Sequence, residues 1–201
     1  MAGRSRRPPG RGLAVLRTVY DSTLALITEK GYVFSIEEVA ERAAVHKTTI
    51  YRRWPSKAAL IGAAVQQIAD TQIAIEHSGD PVSDLTNLAV LLARWLRTAA
   101  GIHTIRAVMS AVGDDPALEQ VVRDFLAGRY GAARDLIEEA IQTGQIAEGV
   151  DPDLMWRAMV NPLHLGALTG EPASDGTAVQ LVALVLDGAR PATGKVRGQP
   201  A

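Results

Sequence analysis

The 201 residues, 47% of them hydrophobic, are enough to bury one or two cores, and the absence of cysteine excludes disulfides and thiolate metal sites and points to a reducing, cytoplasmic location. No apolar run approaches the ~20 residues of a bilayer crossing, and the basic N-terminus MAGRSRRPPGRG lacks the apolar segment of a secretory signal. The net charge of -1 hides a segregation: residues 1–60 hold 11 Lys/Arg against 5 Asp/Glu and the remainder 10 against 17, so only the first segment suits a polyanion.

Two-residue alternation and hairpin dipeptides are lacking while helical periodicity repeats throughout, so the chain reads as all-α with about nine helices. The first, 13–30, aligns Leu13, Leu16, Tyr20, Leu24 and Ile27 in one stripe and stops at Gly31. Ser35 and Glu38 then form a capping box, in which each side chain takes the other residue's backbone amide. The short helix this opens turns Ile36, Val39, Ala40 and Ala43 inward. A small-residue corner at Ala43-Ala44 leads to a third helix, 47–54. Ser56 caps a fourth, 57–77, closed by Gly79-Asp80-Pro81. Helices follow at 83–100, 102–112, from Asp115-Pro116 to about 143, 152–169 and 176–189. The organisation expected is a basic arm (1–12), a three-helix helix-turn-helix domain (13–56), a helical body (57–190) and a Pro/Gly-rich disordered tail (191–201).

The stretch VHKTTIYRRWPSK, residues 45–57, carries the chemistry. At 100° per residue Ile50 and Trp54 share an inward face with Val45 before them, while Lys47, Thr48, Tyr51 and Arg52 point away. That outward face is short, polar and varied, as reading base edges in a major groove requires; a merely solvated helix would be served by Glu/Lys pairs. Pro55 ends the third helix and Ser56 begins the fourth, whose first amides with Lys57 suit a phosphate. Arg53 and the Ser35 end of the second helix can hold phosphates on either side. Arg4, Arg6, Arg7 and Arg11 form either a groove-reaching arm or a solubilising tail.

From Gly31 to Leu60 the pattern G-Y-x-x-S-I-x-x-V-A-x-R-A-x-V-x-K-x-T-I-Y-R-R-W-P-S-K-x-x-L resembles the DNA-binding domain of TetR-type transcriptional regulators. G-x-I-x-x-x-V-D-P-D-L at 144–154 and NPLHLGALTGEP at 161–172 are similar to the ligand-binding and dimerisation domain of one branch of that family. The resemblance implies that Lys47, Thr48, Tyr51 and Arg52 approach bases and that Thr49, Arg53 and Lys57 approach phosphates, with Ser35 assisting. Two positions depart from it. Ala44 stands where the family's corner usually has glycine, so the turn must avoid a strongly positive φ or accept strain. His46 replaces the usual Ser or Thr cap of the third helix and either faces a phosphate or leaves that end frayed.

The body holds no catalytic set: His77, His103 and His164 are scattered, with no H-E-x-x-H spacing, no G-x-S-x-G elbow and no glycine-rich phosphate loop. Neither an enzyme nor a cofactor is expected. Its large side chains read as core, and the resemblance implies that some, with Trp95, His103, Met109 and Phe125 as candidates, line an apolar effector pocket. Helices 152–169 and 176–189 are strongly apolar, the second around much of its circumference, so packing inside one chain leaves some side chains uncovered. A two-fold four-helix interface would cover the excess. The expected function is a ligand-responsive, homodimeric repressor binding a palindromic operator; an activator of the same fold and a helical adaptor that does not bind DNA are the alternatives.

Overall fold

A computed structural model describes residues 11–75 and 77–190, without the side chain of Arg11. Arg4, Arg6, Arg7 and the tail 191–201 lie outside the described residues. Among the described residues every regular element is a helix: α1 (Arg11–Lys30), α2 (Ile36–Arg42), α3 (Lys47–Tyr51), α4 (Lys57–Gln72), α5 (Pro81–Leu96), α6 (Ala99–Ala111), α7 (Pro116–Gln142), α8 (Pro152–Thr169) and α9 (Asp175–Gly188). None is long and apolar enough to cross a membrane. The chain forms two compact units. The first holds α1 to α4, α6 and α7 as far as Phe125, and so extends well past residue 56; the second holds α5, the rest of α7, α8 and α9.

In the first unit α1 packs against α2, α4 and α6. With three neighbours it buries a face rotated from the expected stripe: Ile27 is inside as expected, joined by Val19, Thr23 and Leu26, while Leu16, Tyr20 and Leu24 are half-buried and Leu13 is 62% exposed. The buried Thr23 hydroxyl is satisfied by donating to the Val19 carbonyl at 2.8 Å. Ile36 and Val39 of α2, Ile50 of α3, Leu60 and Ile61 of α4, Val108 of α6 and Leu118 of α7 complete this core. Gly62 lets α4 meet α7 closely, since a Cβ there would stand 2.4 Å from Val121 Cγ1.

In the second unit α5 packs against both α8 and α9, which also pack on each other. Leu85, Leu88, Trp95 and Leu96 of α5, Trp156, Met159 and Leu163 of α8 and Val182 of α9 are among its buried side chains. Gly79-Asp80-Pro81 does not close the fourth helix, which already ends at Gln72. Instead the Asp80 carboxylate accepts the Val82 amide and Pro81 occupies the first turn of α5, where its missing N–H costs nothing. Asp151 and Pro152 open α8 in the same way, and Gly170, at φ 93°, closes it. Arg94 and Arg97 both reach Asp175, at 2.7 and 2.6 Å, and tie the start of α9 to α5.

Candidate nucleic-acid interface

The helix pair α2 and α3 begins with the expected capping box. Ser35 Oγ accepts the Glu38 amide at 3.2 Å, and the Ser35 amide donates to Glu38 Oε2 at 2.7 Å. Lys30 also donates to Glu38, and this bond, ahead of the one from the Ser35 backbone, holds the Glu38 carboxyl down to about 2. Arg42 grips both oxygens of Glu29 at 2.7 and 2.6 Å, fastening α2 to α1. The bond with Arg42 is the main cause of the lowered pKa of Glu29.

The corner between the helices is a Schellman turn, with Val45 N donating to Ala40 O at 2.9 Å and Ala44 N to Glu41 O at 3.1 Å. Its geometry requires a left-handed residue at position 44, and Ala44 adopts φ 53°. The turn therefore accepts strain, since only glycine occupies this region freely. His46 occupies the N-cap of α3 without a side-chain cap bond.

α3 is shorter than expected, ending at Tyr51 with Arg52 as its C-cap. Pro55 offers no amide to the Tyr51 carbonyl and disfavours helical backbone at Trp54. Ile50 is fully buried, Trp54 is buried, and the Trp54 indole meets the Tyr20 ring edge-on at 5.4 Å. Lys47, Thr48, Tyr51, Arg52 and Arg53 are exposed, and Thr49 is half-buried. Lys47 faces Glu37 of α2 at 3.5 Å, an exposed pair worth under about 1 kcal/mol and easily surrendered to another anion. No acidic partner is paired with Arg52 or Arg53 among the described residues; the positive charge of Arg53 reaches Tyr20, where it partly offsets the upward push of burial on the phenol. Ser35 is exposed at the N-cap of α2. The structure thus collects Ser35, Lys47, Thr48, Thr49, Tyr51, Arg52 and Arg53 on α2, α3 and the turns that flank them.

Lys57 lies differently. Its ammonium donates to the carbonyls of Tyr32 at 2.8 Å and Phe34 at 3.3 Å and stands 3.7 Å above the Tyr32 ring centroid. Partial burial pushes its pKa down, against the pull of Asp115. Two of its three N–H groups are already spoken for, which the spacing Pro-Ser-Lys gave no way to foresee. Ser56 Oγ accepts the Ala59 amide at 3.1 Å and caps α4 as expected.

The four effector candidates do not converge on one described cavity. Trp95 is buried in the second unit, whereas His103, Met109 and Phe125 belong to the first. Met109 is 42% exposed on α6 and Phe125 is half-buried. An open cavity of about 320 Å³ in the first unit is lined by Ile27, Thr28, Gly31, His103, Arg106, Ala107 and Ser110, so it takes in only His103 of the four. The Nδ1 atom of His103 is 2.8 Å from the Thr28 carbonyl. No group of His, Asp or Glu among the described residues could hold a metal ion.

Residues 19–64 match the sequence model described as "Bacterial regulatory proteins, tetR family", and residues 75–185 match "Tetracyclin repressor-like, C-terminal domain". The chain is 30% identical over 178 residues to the HTH-type transcriptional regulator YdeS of Bacillus subtilis, covering 88% of each protein. It is 28% identical to the HTH-type transcriptional regulator AqdR of Rhodococcus erythropolis, across 91% of this chain and 89% of that one. Among solved structures, the TetR family transcription regulator SCO0332 superimposes with a TM-score of 0.72 at 26% identity, over 88% of this chain and 99% of the other. SmeT, solved with triclosan, shares the fold with a TM-score of 0.67 at 15% identity, over 94% and 99%.

Replacing Ala44 by glycine is expected to raise stability by about 0.5 kcal/mol, because relief of ~1–2 kcal/mol of left-handed strain exceeds the ~0.5–1 kcal/mol of added unfolded-chain freedom. Ala43→Gly, one residue earlier in right-handed helical geometry, is expected to destabilise. Urea midpoints compare the two; a loss of stability in Ala44→Gly would contradict the strain.

Proposed function

The chain belongs to the TetR family of transcriptional regulators, and from that membership we propose that it is a cytoplasmic repressor that holds a palindromic operator as a homodimer and releases it when an apolar small molecule binds. Members of this family are DNA-binding transcription factors, not enzymes. The observation that carries the DNA reading is the outward face of α3: Thr48, Tyr51 and Arg52 stand exposed on a helix whose opposite side is fixed by Ile50 and Trp54. In this reading Lys47, Thr48, Tyr51 and Arg52 meet base edges. Arginine can grip guanine with two hydrogen bonds, and each good bidentate pair discriminates by ~1–3 kcal/mol. Ser35, Thr49 and Arg53 meet phosphates and fix the register.

The dimer is supported by what the second unit leaves uncovered. On α8, Leu154 and Leu165 are 66% and 62% exposed; on α9, Val179 and Leu184 are 44% and 72% exposed. Leu154 and Leu165, eleven residues apart, share one face of α8. Of the long apolar run in α9, only Ala178 and Val182 are buried. A second copy presenting the same helices would cover both faces in a self-complementary contact. Two reading helices about one DNA turn (~34 Å) apart would then meet two half-sites. The effector part of the proposal draws on the kinship with SmeT, whose structure was solved with triclosan. Release needs only that the effector bind one dimer geometry more tightly than the other.

Two predictions follow from these surfaces. Arg52→Ala is expected to weaken binding to the operator much more than to random duplex DNA, whereas Arg53→Ala weakens both about equally and lowers the salt slope by about 0.9. Gel-shift titrations at several salt concentrations measure this, and equal losses on both DNAs for Arg52→Ala would remove it from base reading. The double substitution Leu165→Glu and Leu184→Glu is expected to give a folded monomer in sedimentation velocity at micromolar concentration. A dimer that survives both charges would place the contact elsewhere.

A further inference from the structure

One set of contacts in the first unit has no part in the surface described above. It joins three segments far apart in the chain. The Lys57 ammonium, in the first turn of α4, is held by the Tyr32 and Phe34 carbonyls and lies over the Tyr32 ring. The Tyr32 hydroxyl donates to Asp115 Oδ2, across 83 residues of sequence. The other oxygen of Asp115 accepts the amides of Ala117 and Leu118 at 3.0 and 3.1 Å, opening α7. Tyr32 stands just before α2, and Lys57 just after the turn that follows α3. The ammonium therefore bridges the two ends of the reading pair, and the phenol fastens that bridge to the start of α7.

Building on the DNA-binding reading, we propose that Lys57, Tyr32 and Asp115 form a positioning chain that closes the helix-turn-helix on itself, and that Lys57 acts through this closure and not as a phosphate ligand. An exposed lysine meant for DNA keeps its ammonium in water, free to turn. Here a ring covers one side and two carbonyls fix the direction of two N–H groups, so the ammonium is turned toward the protein. The Phe34 side chain is buried in the core and Ser35 caps α2, so the backbone that Lys57 holds is the backbone that places α2. Loss of the bridge frees that turn, and the reading helix loses its fixed angle to the groove while every phosphate contact stays available. The tie to Asp115 also gives α7 a direct hold on the reading pair.

The two roles differ in salt dependence, because a lost phosphate contact lowers the slope of log affinity against log salt by about 0.9 and a lost positioning contact leaves it unchanged. The test uses the full-length protein and a duplex that it enriches from a random-sequence pool. Lys57→Met, which keeps the stem packed on Tyr32, is expected to weaken this duplex about tenfold, by roughly 1.4 kcal/mol, with the wild-type slope. Tyr32→Phe keeps the ring under the ammonium and cuts only the tie to Asp115. It is expected to weaken binding several-fold at the same slope, and the double variant to lose less than the product of the two single losses, as members of one chain do. Amide exchange at Val33 to Ser35 in the DNA-free protein should quicken in both single variants. If Lys57→Met fails to fold, Tyr32→Phe and its exchange rates carry the test alone. A slope lowered by about one in Lys57→Met, or losses that multiply fully, would overturn the proposal. Failure of the wild-type protein to enrich any duplex would instead overturn the DNA-binding reading beneath it.

Discussion

A helix of five residues cannot hold its own shape in water, because fixing the first turn costs more conformational freedom than its single hydrogen bond returns. α3 is such a helix, and it exists because Ile50 is fully buried and Trp54 closes the same side against Tyr20. Burying one large aliphatic side chain supplies ~1.5–3 kcal/mol, comparable to the deficit of a short helix. Everything assigned to the outward face depends on this anchoring. The side chains of Thr48, Tyr51 and Arg52 can be presented at a defined angle only if the backbone beneath them does not move. The same logic explains why the supports are dense here: a capping box at Ser35, a bidentate Arg42–Glu29 pair, a strained corner at Ala44 and the Lys57 bridge all surround α2 and α3.

The charges follow the same division of labour. Two basic side chains of the first unit fasten helix to helix, Lys30 with Glu38 and Arg42 with Glu29. Arg52 and Arg53 stay exposed with no acid paired to them among the described residues. Among the described residues of the segment 1–60, Arg52 and Arg53 are therefore cations that the fold leaves over while it uses Lys30, Arg42 and Lys57. In the second unit the surplus is apolar instead, and it sits on α8 and α9. A chain with cations uncovered in one unit and leucines uncovered in the other has two surfaces to fill, with partners of different chemistry.

Much of this was legible in the sequence because it rests on local signals. Capping residues, proline, glycine and the 3.6-residue period place the nine described helices within five residues of their ends, the end of α4 being the largest miss. The inward pair Ile50 and Trp54 followed from a spacing of four. What was not legible depends on neighbours distant in sequence. The buried face of α1 is set by three helices packed around it, so Val19 and Thr23 replaced Leu13 and Leu16. The place of Lys57 is set by carbonyls 23 and 25 residues earlier and by an aspartate tied to Tyr32 from 83 residues away. No periodicity records such contacts. The effector candidates rest on the family resemblance, and no local signal in the sequence shows that Trp95 belongs to one unit and His103, Met109 and Phe125 to the other.

In the proposed function two reading helices, each held rigid by its own core, meet DNA as a symmetric pair. Incubating the full-length protein with a pool of random duplexes, and sequencing what it retains, tests that claim most directly. The prediction is an inverted repeat whose half-site centres lie about ten base pairs apart, one turn of the double helix. A retained pool with no common sequence, or a single unrepeated half-site, would contradict it.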